Sequence, residues 1–159
     1  MKKLIQISPI LVALFVVGAM VACKDKGPHL NPEIKFEATL DGSQEFPRVT
    51  TSASGKLDGI YNKDTKVFTF TINYSGLTPI AGHFHQGDRA DKAARGFETG
   101  GVIFTFASLT NPISGTWTLN QQQENWLLAG VVYANLHTAL NKSGEIRGQL
   151  VASSLAALK

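Results

Sequence analysis

The chain has 159 residues, 43% of them apolar and 17% charged, which is the composition of one globular domain and excludes a disordered chain. The formal net charge is +3, but two of the fifteen cations are Lys2 and Lys3 at the extreme N-terminus, and without them 13 basic residues face 12 acidic ones. Charge therefore makes no case for nucleic acid, and no Lys/Arg cluster with interleaved aromatics is present.

Met1-Lys2-Lys3 is a positive n-region, and residues 10–22 are an unbroken run of apolar and small residues. A membrane span needs about 20 such residues, so the run suits the core of a signal peptide better than a transmembrane helix. It ends Met20-Val21-Ala22-Cys23, with the chain's single cysteine last. This segment resembles the lipobox of bacterial lipoproteins, with Met20 where Leu is usual. The resemblance implies cleavage after Ala22, acylation (palmitate included) of Cys23, and export to the bacterial cell envelope. The protein would then be lipid-anchored to a membrane on its periplasmic or surface side. Residues 1–22 are then the signal peptide. Residues 23–32, polar with Gly27, Pro28 and Pro32, are a tether. Residues 33–152 are the domain, and residues 153–159 a short tail. A lone cysteine makes no internal disulfide, so about 120 residues must hold together by their own apolar core.

From Ile34 the period is two. Ile34, Phe36, Ala38 and Leu40 alternate with polar residues, which predicts a half-buried strand ended by Asp41-Gly42. Strands are predicted at 53–60, with a turn at 62–64, and at 68–74, where Phe68, Phe70, Ile72 and Tyr74 alternate with Thr69, Thr71 and Asn73. Ser75 to Pro79 closes that strand. Another runs over 80–85, followed by a long polar loop over 86–99 with Arg89, Asp91, Lys92 and Arg95. Strands at 101–107 and 113–119 come next, then a short helix over 120–128 that Asn120 can cap. Strands at 131–137 and 145–151, joined by a turn over 141–144, complete the pattern. Seven or eight short strands and one helix predict an all-β fold, a Greek-key β-sandwich or flattened barrel.

His83 and His85 are one residue apart on a strand, so they share a face, roughly 6.5–7 Å apart at Cα. Phe84 points the other way, into the core. On the later strand Val132, Ala134 and Leu136 form the apolar face, so His137 points away from the core with Tyr133 and Asn135. All three histidines fall on the outer side of the sheet. If the two strands meet, three imidazoles converge as a copper or zinc site, with no carboxylate in an obvious fourth position. The same residues fit an ordinary hydrogen-bonded histidine pair. Glu45 and Glu145 read as solvated loop and strand-edge charges. No nucleophile elbow or phosphate loop is present, so no catalytic residues are legible.

Four segments carry a family resemblance. Leu40-Asp41-Gly42-Ser43-Gln44-Glu45-Phe46-Pro47, Ala81-Gly82-His83-Phe84-His85-Gln86-Gly87, Val132-Tyr133-Ala134-Asn135-Leu136-His137-Thr138 and Gly144-Glu145-Ile146-Arg147-Gly148-Gln149-Leu150 resemble, in order, the motifs of the CHRD domain, a module first named from chordin. Arg48 stands where a second Pro is common, and the loop after Gly87 is charged where the family is Gly-rich. The resemblance implies an all-β domain without a settled activity. The order Gly76-Leu77-Thr78-Pro79, His83-Phe84-His85, His137 is also similar to copper/zinc superoxide dismutase, with the three histidines at the copper ligands. The bridging histidine, the zinc ligands and the disulfide have no counterpart here. Arg147, on the outer face of the last strand, and Asn135 fall where they could support such a site.

Two functional expectations follow. One is a membrane-anchored envelope lipoprotein that presents a CHRD domain as a non-catalytic binding or structural module. The other is a copper-binding (or other metal-binding) or superoxide dismutase-like redox protein that uses His83, His85 and His137.

Overall fold

A computed structural model describes residues 32–88 and 99–153. The signal-peptide segment, Cys23, the tether up to Asn31, the charged part of the 86–99 loop and the tail beyond Ser153 lie outside the described residues. Among the described residues no helix is long and apolar enough to cross a membrane.

The described residues form strands β1 (Glu33–Asp41), β2 (Ser54–Asn62), β3 (Val67–Ser75), β4 (Ala81–Gln86), β5 (Val102–Thr105) and β6 (Ile113–Thr118), helix α1 (Gln121–Leu128), and strands β7 (Val132–His137), β8 (Ile146–Gln149) and β9 (Val151–Ala152). All strand pairs are antiparallel, and the sheet order is β5-β4-β7-β8-β1-β2-β3-β6, with β9 on β1. This is the all-β class that the alternating pattern predicts. The sheet curls into a nearly closed barrel. Its two end strands meet through side chains, with the rings of Phe104 (β5) and Trp117 (β6) 5.5 Å apart.

Period two explains the interior. Phe36, Ala38 and Leu40 of β1, Phe68, Phe70 and Ile72 of β3, and Val132, Ala134 and Leu136 of β7 all point inward and are buried. Gly59 gives room for an aromatic: a Cβ there would lie 2.4 Å from Cζ of Phe68. Helix α1 is held by a capping box. Asn120 Oδ1 accepts from Gln123 N–H at 2.9 Å, and Gln123 Oε1 accepts from Asn120 N–H at 3.0 Å.

Three local expectations change. Asp41 does more than end β1: its Oδ1 accepts from Ser43 N–H at 2.9 Å and caps a 3₁₀ turn over Gly42–Gln44. The last predicted strand is two, because Leu150 N–H turns to Val132 O (2.9 Å) while Val151 and Ala152 pair with β1. Finally, β7 buries all six of its residues and β8 all four. A strand with one wet face would bury alternate residues, so the outer face here is covered.

A candidate metal centre on the covered face

Register assembles this face. Pairing of β4 with β7 and of β7 with β8 puts His83, Asn135 and Arg147 in one row and His85, Tyr133 and Gln149 in the next, with His137 opposite Ala81. Polar segments close over it. Gln149 Nε2 donates to the carbonyls of Gly87 (2.9 Å) and Gly130 (2.8 Å). Arg147 Nη2 donates to the carbonyl of Asp88. Gly100 is pinned between His85 and Gln86; a Cβ there would fall 1.4 Å from Gln86 O, so only glycine fits.

The three predicted histidines come together. One ligand nitrogen from each of His83, His85 and His137 lies within 4.8 Å of the others. They face away from the apolar core, yet they are not outward in the sense of wet: His85 is 8% exposed and His137 9%, while His83 is half-buried.

Hydrogen bonds fix the tautomers. A carbonyl can only accept, so Nδ1 of His137 carries the proton it donates to Lys142 O at 3.0 Å. Nδ1 of His85 likewise donates to Gly100 O at 3.0 Å. Each neutral ring then presents a bare Nε2. His137 Nε2 accepts from His83 Nδ1–H at 3.0 Å. His85 Nε2 is buried and has no partner, a cost that a structure retains for a reason. Burial lowers the pKa of all three rings below the ordinary 6.5. For His83 and His85 the neighbouring imidazoles push the same way, and for His85 Arg147 adds to it. The bonds to Gly100 and Lys142 oppose the shift at His85 and His137. The rings are therefore neutral and able to ligate at pH 7.

An ion bonded at ~2.0–2.1 Å separates two ligand nitrogens by at most about 4.2 Å. The nitrogens of the 4.8 Å cluster extend slightly beyond that range, so sharing one ion would take small ring rotations and, at His83, a proton on Nε2 instead of Nδ1. Backbone carbonyls behind His85 and His137 are the outer-shell acceptors that orient metal-bound imidazoles.

Of the two supporting residues, Arg147 reaches the cluster indirectly. Its Cζ lies 3.5 Å from the Tyr133 ring centroid, and that ring stacks on His85 at 5.0 Å and 6°. Asn135 instead donates from Nδ2 to Glu45 Oε2 at 3.3 Å.

The solvated reading of Glu45 and Glu145 is overturned. They are 4% and 8% exposed, and close enough to interact electrostatically. Burial pushes Glu45 up to about 7, against the opposing pull of Arg147 and Asn135. Bonds from Asn141, Thr51 and Thr138 hold Glu145 below its ordinary value. Tyr133, Gly100 and Lys142 are site residues that sequence reasoning missed. Only Tyr133, on the same face as His137, left a signal in the periodicity.

Fold and site thus describe an antiparallel β-barrel with a second, polar layer folded over one outer face. The CHRD domain family model matches residues 36–150, and the chain belongs to that family. No curated protein and no solved structure matches the chain.

Proposed function

We propose that this CHRD domain is a binding module for one transition-metal ion, with copper as its principal ligand, held by His83 Nδ1, His85 Nε2 and His137 Nε2. The supporting observation is the convergence of three neutral imidazoles, two of them locked with a bare Nε2 toward the cluster. Three nitrogens without a thiolate or carboxylate suit copper and zinc, and copper leads in intrinsic affinity. The bound ion would supply Lewis acidity or one-electron chemistry; the chain's own residues hold, orient and shield it. Titration of the full-length protein with copper and with zinc, in competition with a chromophoric chelator, tests this. One equivalent should bind, and His137→Ala should weaken binding more than about 100-fold, beyond the usual cost of an outer-shell change. A triple His83→Ala, His85→Ala, His137→Ala protein that binds copper as tightly as the native one would leave the histidines a structural role only.

The same proposal places the domain at a membrane in the bacterial envelope, through lipid on Cys23. The support is the n-region, the short apolar run and the single cysteine directly after Ala22. Cys23→Ala should move the protein from the membrane fraction to the soluble one. Unchanged fractionation, or no incorporation of labelled palmitate into the native protein, would sink the anchor and leave the metal reading standing.

A further inference from the structure

We propose that the end of the barrel carrying Phe46, Ile80 and Leu140 is a membrane-contacting tip that seats in a bilayer surface with anionic headgroups. The inference draws on the Cys23 anchor for its reach, and adds which end of the domain meets the lipid.

The antiparallel order sorts the connections between two ends. Strand β1 runs up from Glu33 to Asp41, so β8 runs down from Ile146, β7 up to His137 and β4 down from Ala81. These four neighbouring strands bring three segments to one rim: residues 42–53 after β1, residues 76–80 before β4, and residues 138–145 between β7 and β8. The segments adjoin. Ile80 N–H donates to His137 O at 2.8 Å, and a Cβ on Gly144 would lie 2.5 Å from Glu45 Oε1. All three segments are described throughout, whereas Gln86 of β4 and Val102 of β5, which flank residues 89–98, lie at the opposite end.

Each segment holds out one large apolar side chain. Leu140 is 87% exposed, Ile80 57% and Phe46 49%, and Leu140 is the most exposed such residue among the described ones. The turn that carries Leu140 is tied down, which keeps the side chain outward. Asn141 N–H donates to Thr138 Oγ1 at 3.0 Å, and the Thr138 hydroxyl donates to Glu145 Oε2 at 2.8 Å. Small polar residues are the usual occupants of a turn. Three exposed apolar side chains on adjoining loops form instead the kind of patch that meets another surface.

Charge identifies that surface. Arg48 and Lys142 are exposed close to Phe46 and Leu140 in the chain. Of the acids at this end, Glu45 and Glu145 are buried. Asp41 is half-buried, and its carboxylate accepts from Ser43 N–H and Gln44 Nε2. The rim thus presents apolar side chains flanked by cations, the pattern that sinks into the headgroup layer of an anionic membrane. Separate side chains on loop tips can enter a fluid headgroup layer one by one, where a protein partner needs a continuous face of about 800 Å².

Reach agrees. Residues 23–32, fully extended, span up to about 33 Å. Strand β1 has nine residues and is about 30 Å from end to end. A chain anchored at Cys23 and entering the barrel at Glu33 is therefore long enough for the far rim to lie on the same bilayer.

The test compares Leu140→Cys with Thr65→Cys, which lies in the β2–β3 turn at the opposite end. Both replace exposed residues and leave the core intact. Each full-length protein carries a polarity-sensitive thiol fluorophore and is incorporated into vesicles of phosphatidylcholine, alone or mixed with phosphatidylglycerol. In the mixed vesicles the label at 140 should shift to the blue and be quenched by a lipid-borne nitroxide, while the label at 65 stays in water. Adding Arg48→Glu and Lys142→Glu should lower the ratio of docked to undocked protein at least about fivefold per cation. A label at 140 as wet as the one at 65 overturns the proposal and leaves the rim to a protein partner or a second copy. Docking that survives the charge reversal unchanged overturns the anionic lipid as its target. Native protein that takes up the fluorophore has a free Cys23, which sinks the anchor alone. The two labels are then read in a Cys23→Ala background with vesicles added from outside, and docking at 140 still decides the tip.

Discussion

Phe84→Ala is expected to cost about 3–5 kcal/mol of folding stability, the range for emptying a fully packed aromatic site. Phe84 is completely buried. Its ring meets Phe70 at 4.8 Å, Phe106 at 4.9 Å, Trp117 at 5.6 Å, and Phe68 and Phe104 at 5.9 Å each. These partners come from β3, from β5 and the residue after it, and from β6. Phe84, on the strand next to one end of the sheet, therefore ties the two ends of the sheet together across the barrel. The surrounding rings are rigid and cannot all collapse into the space left, so the cavity term adds to the lost transfer energy. Phe84→Leu, which refills much of the volume, should lose distinctly less. Urea unfolding reads both, with a lower midpoint at unchanged slope. A loss under about 1 kcal/mol for the alanine variant would contradict a core centred on this ring. Phe84 also lies between His83 and His85 and backs the strand that carries them, so metal affinity should fall with stability even though the ligands are intact.

How much was legible follows from the range of the interactions involved. Strands β1 and β3 could be read residue by residue, because alternation is local and their outer faces are wet. That His83 and His85 share a face followed from the same period of two. Their meeting with His137 did not, since it depends on β4 pairing with β7 at the register that sets His83 opposite Asn135. Nothing within six residues of either strand specifies that partner. The covering of the outer face was illegible for the same reason: Asn135 and Glu45 are 90 positions apart, and Gly87, Asp88 and Gly100 are held by side chains from β8 and β4. Read locally, Glu45 follows Ser43-Gln44 in a polar turn and looks wet. Its environment is decided by chain that folds over it from the far end of the sequence. The Gly144 region shows this closely: a Cβ there would sit 2.5 Å from Glu45 Oε1 and 2.7 Å from Asn135 Oδ1, so the turn that sequence reads only as a turn is also the wall of the carboxyl's pocket.

That pocket yields the other large effect. Glu45→Gln is expected to change how stability depends on pH, and to stabilise the protein on the alkaline side by up to about 3 kcal/mol. Two buried acceptors in the pocket, Glu45 Oε1 and Asn135 Oδ1, lack partners, and both crowd the same point in front of Gly144. A proton on Oε1 would turn one of these acceptors into a donor, alongside the bond from Asn135 Nδ2 to Oε2. Burial accordingly raises Glu45 from its ordinary 4.5 to about 7. A raised folded-state value means that the folded protein holds the proton more tightly than the unfolded chain does. The resulting stability is fully present below pH 4.5 and is lost as the pH climbs through 7. Glutamine is neutral at every pH and can donate an N–H toward Asn135 Oδ1, so it should escape that loss. Urea midpoints of the two proteins should lie close together at pH 5 and separate by pH 8, with the variant higher. The lowered histidines act on both proteins alike: they penalise folding below pH 6.5 and drop out of the comparison. Midpoints that run parallel from pH 5 to pH 8 would mean that the Glu45 carboxyl is ionised in the folded protein, and that Asn135 Oδ1 finds its donor elsewhere.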